Sequence, residues 1–191
     1  MRSARLYSLL LLALAACTGD DLVTGPGSPI STPSFVISDG AHAGNPHFFF
    51  LPPMVPAPSP TGTFDATQQP EVKICQLVSG ACVATVAVFT MSTGPGSETI
   101  RVVPADQHYI VNWHTDRFGL TIGATYRINV LIGNQVLGFA DVVPIGTGKA
   151  KNAVTGDDIA LKDGSTLPIK FRIEHGAVIR GHGHAVLTNR L

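Results

Sequence analysis

The chain has 191 residues, 45% of them hydrophobic, with 13 Lys+Arg against 13 Asp+Glu and a formal net charge of zero. So balanced and sparse a charge offers no basic field to hold nucleic acid and no acidic field to gather cations. Twenty glycines and 14 prolines, with few long helix-forming runs, predict a turn-rich β protein with bulk enough for one main domain.

Arg2 and Arg5 precede an apolar run over residues 6–16 that contains Leu9-Leu10-Leu11-Leu12, the pattern of an export signal. A membrane helix needs roughly 20 apolar residues, so this run reads as a removed leader and not as a span. It closes on Leu14-Ala15-Ala16-Cys17. That run resembles the lipobox of bacterial lipoproteins, and the resemblance implies that Cys17 receives a diacylglyceryl group and begins the mature chain. Residues 1–16 would then be the signal peptide, and the membrane a partner through the lipid. Thr18, where an aspartate would imply inner-membrane retention, points by the same resemblance to the outer membrane. The alternative is an ordinary secretory signal cut after Ala13-Leu14-Ala15, which would leave a secreted protein. Three cysteines in an exported chain leave one odd thiol, and a lipidated Cys17 accounts for it.

Residues 17–33 are rich in Gly, Pro, Ser and Thr and read as a flexible tether. From residue 34 short apolar runs alternate with turns, and a β-domain is expected over residues 34–175. Phe35-Val36-Ile37 and residues 47–51 read as strands, the second stopped by Pro52-Pro53. The stretch 52–60 is a stiff connection at a sheet edge or, alternatively, a polyproline ligand.

Residues 71–78 and 81–90 read as a hairpin around Ser79-Gly80. Cys75 and Cys82 lie in its two arms, and export predicts a disulfide between them. A redox pair usually has C-x-x-C spacing, whereas six residues intervene here; zinc would lack half its ligands. Further strands are expected at 99–103 and 108–114, the latter with Tyr109, Val111 and Trp113 on one face and Trp113 in the core.

Leu120, Gly123, Tyr126, Ile128 and Val130 have a spacing that resembles the tyrosine corner of fibronectin type III and immunoglobulin-like domains. The resemblance implies an all-β, immunoglobulin-like antiparallel β-sandwich of seven or more strands, with the Tyr126 hydroxyl bonded to the chain just upstream. Ile122 stands where that family usually has proline. Strands at 126–132 and 135–143 flank a Gly133-Asn134 turn. A last strand at 166–174 alternates Ile169, Phe171 and Ile173 with Lys170, Arg172 and Glu174, which predicts one buried and one wet face.

Catalytic motifs are missing: there is no G-x-S-x-G, no H-E-x-x-H, no EF-hand loop and no G-x-G-x-x-G between strand and helix. Gly146-Thr147-Gly148-Lys149 lacks the upstream glycine and the Ser or Thr of a phosphate loop, and reads as a turn. Asp157, Asp158 and Asp163 lie in one loop that could gather oxygens around a structural calcium, although turn formation explains them equally. His182 and His184 could clamp a metal from the flexible tail at 176–191, but no carboxylate or cysteine partner is identifiable. No other cofactor is implied.

The expectation is a lipid-anchored, non-catalytic binding or structural module of the cell envelope, whose partner is an envelope protein or a glycan. The alternatives are a carbohydrate-active hydrolase, which needs two convergent carboxylates, and an accessory subunit of a surface complex. Exposed loop aromatics such as Phe118 would favour ligand binding, and an apolar patch would favour a protein partner.

Overall fold

The computed structural model describes residues 37–146 and 159–178. Ten strands appear there: β1 (Ile37–Ser38), β2 (Phe48–Phe50), β3 (Pro70–Val78), β4 (Ala81–Phe89), β5 (Arg101–Val103), β6 (His108–His114), β7 (Tyr126–Ile132), β8 (Gln135–Ile145), β9 (Ile159–Lys162) and β10 (Thr166–Ile173). They form two sheets, so the chain is an all-β sandwich. One sheet runs β1-β8-β7-β3-β4, with β9 beside β8, and the other runs β2-β10-β6-β5.

The turns explain the pairings. Ser79 and Gly80 both have positive φ, 51° and 80°, the geometry that matches the twist of a two-residue hairpin and joins β3 to β4. Gly133 at φ 57° begins the tight turn between β7 and β8. β3 lies between β4 and β7, pairing Ile74 with Ile128 and Val72 with Val130. These side chains face inward and are fully buried.

The second sheet faces them with Tyr109, Val111 and Trp113 of β6, Ile169 and Phe171 of β10, and Phe48 and Phe50 of β2, all fully buried. The predicted alternation along β6 is therefore the observed one, with Trp113 in the core. Met54 and Val55 from the proline-rich connection are buried as well, so that stretch closes the core.

Several details depart from the expected pattern. Only Ile37 of the first predicted strand is described, in β1; β6 and β7 have the predicted ends, the other predicted strands differ by one or two residues at one or both ends, and β9 falls within the stretch expected to be a loop holding Asp157, Asp158 and Asp163. β8 continues through Pro144 to Ile145, where its free edge pairs with β9 in parallel, Val142 against Ile159. The sandwich thus contains a parallel pair.

β10 carries Pro168 inside a central strand. Leu51 N–H donates to the Lys170 carbonyl on the β2 side, and Pro168, two residues earlier, turns its backbone the same way. β2 pairs only with Phe171, Arg172 and Ile173, so the proline's missing donor faces an unpaired edge. In the immunoglobulin plan strands A, B, E and D share a sheet. Here the seat between β2 and β6 belongs to β10, the last of the described strands.

The expected wet face of β10 requires correction. Arg172 is 8% exposed and Glu174 2%. The loop before β3 encloses the end of the strand: Phe64 bridges Glu174, Asp65 N–H donates to the Ile173 carbonyl, and His175 N–H donates to the Thr63 carbonyl. Alternation along one strand cannot reveal a covering loop contributed by residues more than a hundred positions earlier.

Candidate functional site

Several buried polar groups among the described residues lie where loops meet sheet ends. At the end of β10 the Arg172 Nε donates to Glu174 Oε1 at 3.0 Å, its Nη1 to Gln107 Oε1 at 2.6 Å, and its Nη2 to the Gly62 carbonyl at 2.9 Å. Gly62 N–H also donates to Glu174 Oε1. A buried ion pair is tolerable only when further hydrogen bonds satisfy its remaining atoms, and these bonds do so.

Asp65 is the next buried acid. It accepts from the Thr67 N–H, the Thr67 hydroxyl and the Gln68 amide, and His175 Nδ1 stands 3.1 Å away. Burial pushes its carboxyl upward, but the hydrogen bonds from Gln68 and Thr67, with the nearby His175, outweigh that and hold it at about 2. The buried Tyr109 hydroxyl donates to the Asp65 carbonyl at 2.7 Å and accepts from Gln68 N–H at 3.2 Å. Burial is the main reason that this phenol is pushed up to about 12; Gln68 opposes the shift and the Asp65 charge adds to it.

Asp39, fully buried, accepts from the Phe50 N–H, the Ala41 N–H and His42 Nδ1 and so ties the loop between β1 and β2 to the start of the core. Asp141 on β8 receives both Nε and Nη2 of Arg127 on β7, at 2.6 and 2.7 Å, while the guanidinium lies 3.8 Å from the centre of the Phe139 ring. Sequence reasoning missed all of these acids as interior groups. The available signal was turn chemistry, Asp39-Gly40 and Asp65-x-Thr67, in which an aspartate caps its own loop.

A cleft of about 490 Å³ opens between the loop before β2, the β7–β8 hairpin and the chain after β10. Asn45, His47, Gln135, Val136, Phe139 and Ala177 are among its walls. Its volume is in the range of small-molecule sites. Its amides are already engaged, since Asn45 Nδ2 and Gln135 Nε2 both donate to the Ala177 carbonyl. His47 Nδ1 makes no hydrogen bond and lies 3.7 Å from Glu174 Oε2.

Of the residues singled out in the sequence, Cys75 and Cys82 are joined by a disulfide, with 5.5 Å between their Cα atoms. They are diagonal neighbours, because Cys75 pairs with Thr85 and Leu77 with Cys82. The Tyr126 hydroxyl accepts from Thr121 N–H at 2.9 Å, and its ring meets Trp113 edge-on at 6.4 Å. Asp163 sits in the β9–β10 turn, where its N–H donates to the Ile145 carbonyl. Cys17, Asp157, Asp158, His182, His184 and the 147–149 stretch lie outside the described residues, as do the leader, the tether and most of the tail.

Among the described residues no three His, Cys, Asp or Glu side chains converge as a metal site. Phe118 is half-buried against Trp113, 6.3 Å between rings, and is not a free loop aromatic. Among the described residues the large exposed apolar side chains are aliphatic: Val78, Val83, Ile122 and Val136. No family model, no curated protein and no solved structure matches this chain.

Proposed function

We propose that the chain is a lipid-anchored, non-catalytic module of the bacterial cell envelope that binds a protein partner. The carrying observation is Leu14-Ala15-Ala16-Cys17 at the close of a basic and then apolar leader. One acyl chain holds a protein only marginally, so stable attachment takes two, which a diacylglyceryl cysteine supplies. The tether over residues 17–33 then separates the lipid from the sandwich, with the outer membrane as the favoured location.

A binding role is supported by the state of the buried acids. Asp39, Asp65, Asp141 and Glu174 each accept from backbone N–H groups, side-chain donors or an arginine that hold loops or strands together. Hydrolysis of a glycoside needs two carboxyl groups facing a shared cleft, and these are engaged elsewhere. A protein partner, in preference to a glycan, is supported by the fact that the large apolar side chains exposed among the described residues are valines and an isoleucine and not aromatic rings.

The test is fractionation of cells expressing wild type and Cys17→Ala. Wild type should enter the detergent-extracted membrane fraction, and the variant should be released folded. Wild-type protein in the soluble fraction, or a mature N-terminus at Ala16 with unmodified Cys17, would establish a freely secreted module instead.

A further inference from the structure

Three of the four large apolar side chains exposed among the described residues stand at one end of the sandwich. β8 runs from Gln135 to Ile145, and its neighbours fix what lies at each end. Tyr126 of β7 pairs with Val142, and Gln76 of β3 pairs with Tyr126. The tip of the β3–β4 hairpin and the corner loop before β7 therefore both lie at the Ile145 end. Leu77 N–H donates to the Thr125 carbonyl and Gly123 N–H to that of Pro144, which ties hairpin, corner loop and β8 together there. Val78 and Val83 of the hairpin and Ile122 of the loop thus share this end, each about half exposed. Val136, the fourth, is at the opposite end, in the wall of the cleft beside His47.

Exposed aliphatic side chains gathered in one region mark a surface for a protein or for a membrane. The direction of the incoming chain decides between them. β1 is antiparallel to β8, with Ile37 opposite Ala140 and Ser38 opposite Phe139, so the chain enters β1 from the Ile145 end. Residues 17–36 connect Cys17 to β1. A coil of that length has an end-to-end distance of roughly 25 Å, whereas the 11 residues of β8 span about 36 Å. An anchor at Cys17 thus favours the Ile145 end as the one near the lipid.

Charge allows this contact. Asp163 N–H donates to the Ile145 carbonyl and Thr115 N–H to that of Ser165, which brings the β9–β10 turn and the segment after β6 to the same end. These contribute two acids, Asp116 and Asp163, against two bases, Arg117 and Lys162. Balanced charge leaves entry of aliphatic side chains, and not attraction to anionic headgroups, as the favourable contribution.

We infer that this end of the sandwich rests on the membrane, with Val78, Val83 and Ile122 entering the boundary between headgroups and acyl chains of a zwitterionic lipid surface. The contact adds to the lipid anchor and fixes the orientation of the domain, which a tether alone leaves free to turn. Val136 and the cleft beside His47 then face away from the bilayer, on the side open to a protein partner. The inference rests on the anchor at Cys17 and adds an orientation to it.

The test is fluorescence quenching in vesicles of phosphatidylcholine with brominated acyl chains. Protein purified from membranes of expressing cells is reconstituted as Ile122→Trp or as Val136→Trp. Both substitutions replace exposed side chains, and the native Trp113 is fully buried and gives a constant background. Val78→Trp supplies a second reporter at the Ile145 end should Ile122→Trp disturb the corner. Ile122→Trp and Val78→Trp should lose emission relative to vesicles without bromine, whereas Val136→Trp should keep it. If the protein floats with the vesicles and both reporters at the Ile145 end keep their emission, or Val136→Trp is quenched equally, the contact is overturned and the anchor stands. Protein that does not float with the vesicles would overturn the anchor and the orientation together.

Discussion

Arg172 near the end of β10 and Glu174 just past it, two residues apart, form an ion pair of 3.0 Å with side chains 10% and 1% exposed. Residues at this spacing share a strand face, and here that face is roofed by Gly62 and flanked by Gln107. The pair therefore acts as the fastening between β10 and the loop that leads into β3. Removing one member strands the other in a poorly solvated place, which costs about 3 to 5 kcal/mol. Glu174→Ala should lower the unfolding free energy by about that amount, whereas Arg172→Met with Glu174→Leu, which removes both charges, should cost much less. Chemical denaturation of the three variants decides it: equal losses in the single and double variants would mean that the pair contributes only packing.

Asp65 gives a pH dependence with a definite sign. Its carboxyl is held at about 2 against an ordinary 3.8, so its charged form is favoured by folding. The stabilisation is complete above the unfolded value and disappears as pH falls from about 4 to about 2. The shift corresponds to at most about 2 kcal/mol. Denaturation midpoints for wild type should fall over that interval more steeply than those of Asp65→Asn, which has no carboxyl to protonate. Parallel curves for the two proteins would show that other acids carry the acid sensitivity.

What the sequence made legible was whatever short-range pattern dictates. Alternation along residues 108–114 placed Tyr109, Val111 and Trp113 inward, and Ser79-Gly80 and Gly133-Asn134 located the hairpins because two-residue turns impose positive φ. Alternation failed at Arg172 and Glu174 because burial there comes from a distant loop. The seat of β10 between β2 and β6 is likewise a long-range choice, and it is compatible with Pro168 because the proline's N side faces an unpaired edge. Asp39 and Asp65 cap their own loops, which turn chemistry could have signalled; their second role, bonding to Phe50 N–H and sitting beside His175, depends on contacts that no local window contains. Of the candidate site, the cysteine pair was readable from spacing, whereas the cleft beside His47 is assembled from three separate segments.

The Tyr126 hydroxyl fixes the turn into β7 by accepting from Thr121 N–H, while Ala124 N–H closes onto the Thr121 carbonyl and Gly123 N–H onto that of Pro144. Tyr126→Phe preserves the ring contact with Trp113 but leaves the Thr121 donor without its acceptor. The cost should be about 1 to 3 kcal/mol. Coincident denaturation curves for wild type and the variant would show that the hydroxyl contributes nothing and that the corner is held by the ring alone.

The disulfide permits a prediction about where its stabilisation is felt. Cys75 is 1% exposed, and Cys82 belongs to the exposed tip of β4. The bond closes a loop of sequence separation 7 around the Ser79-Gly80 turn. On the chain-entropy model a loop this small contributes about 2 to 3 kcal/mol by restricting the unfolded chain. Cys75→Ala with Cys82→Ala should therefore lower global stability by about that amount. The hairpin tip should be affected further, because beyond Gln76 its backbone leaves the β7 ladder, with Leu77 N–H reaching only the Thr125 carbonyl. Amide exchange at residues 77–85 should then speed up more than exchange at Ile128 or Val130 in the centre of the sheet. Uniform acceleration across both regions would show that the bond acts only on the unfolded chain, and unchanged exchange at the tip would show that the turn geometry of Ser79 and Gly80 suffices to hold the hairpin.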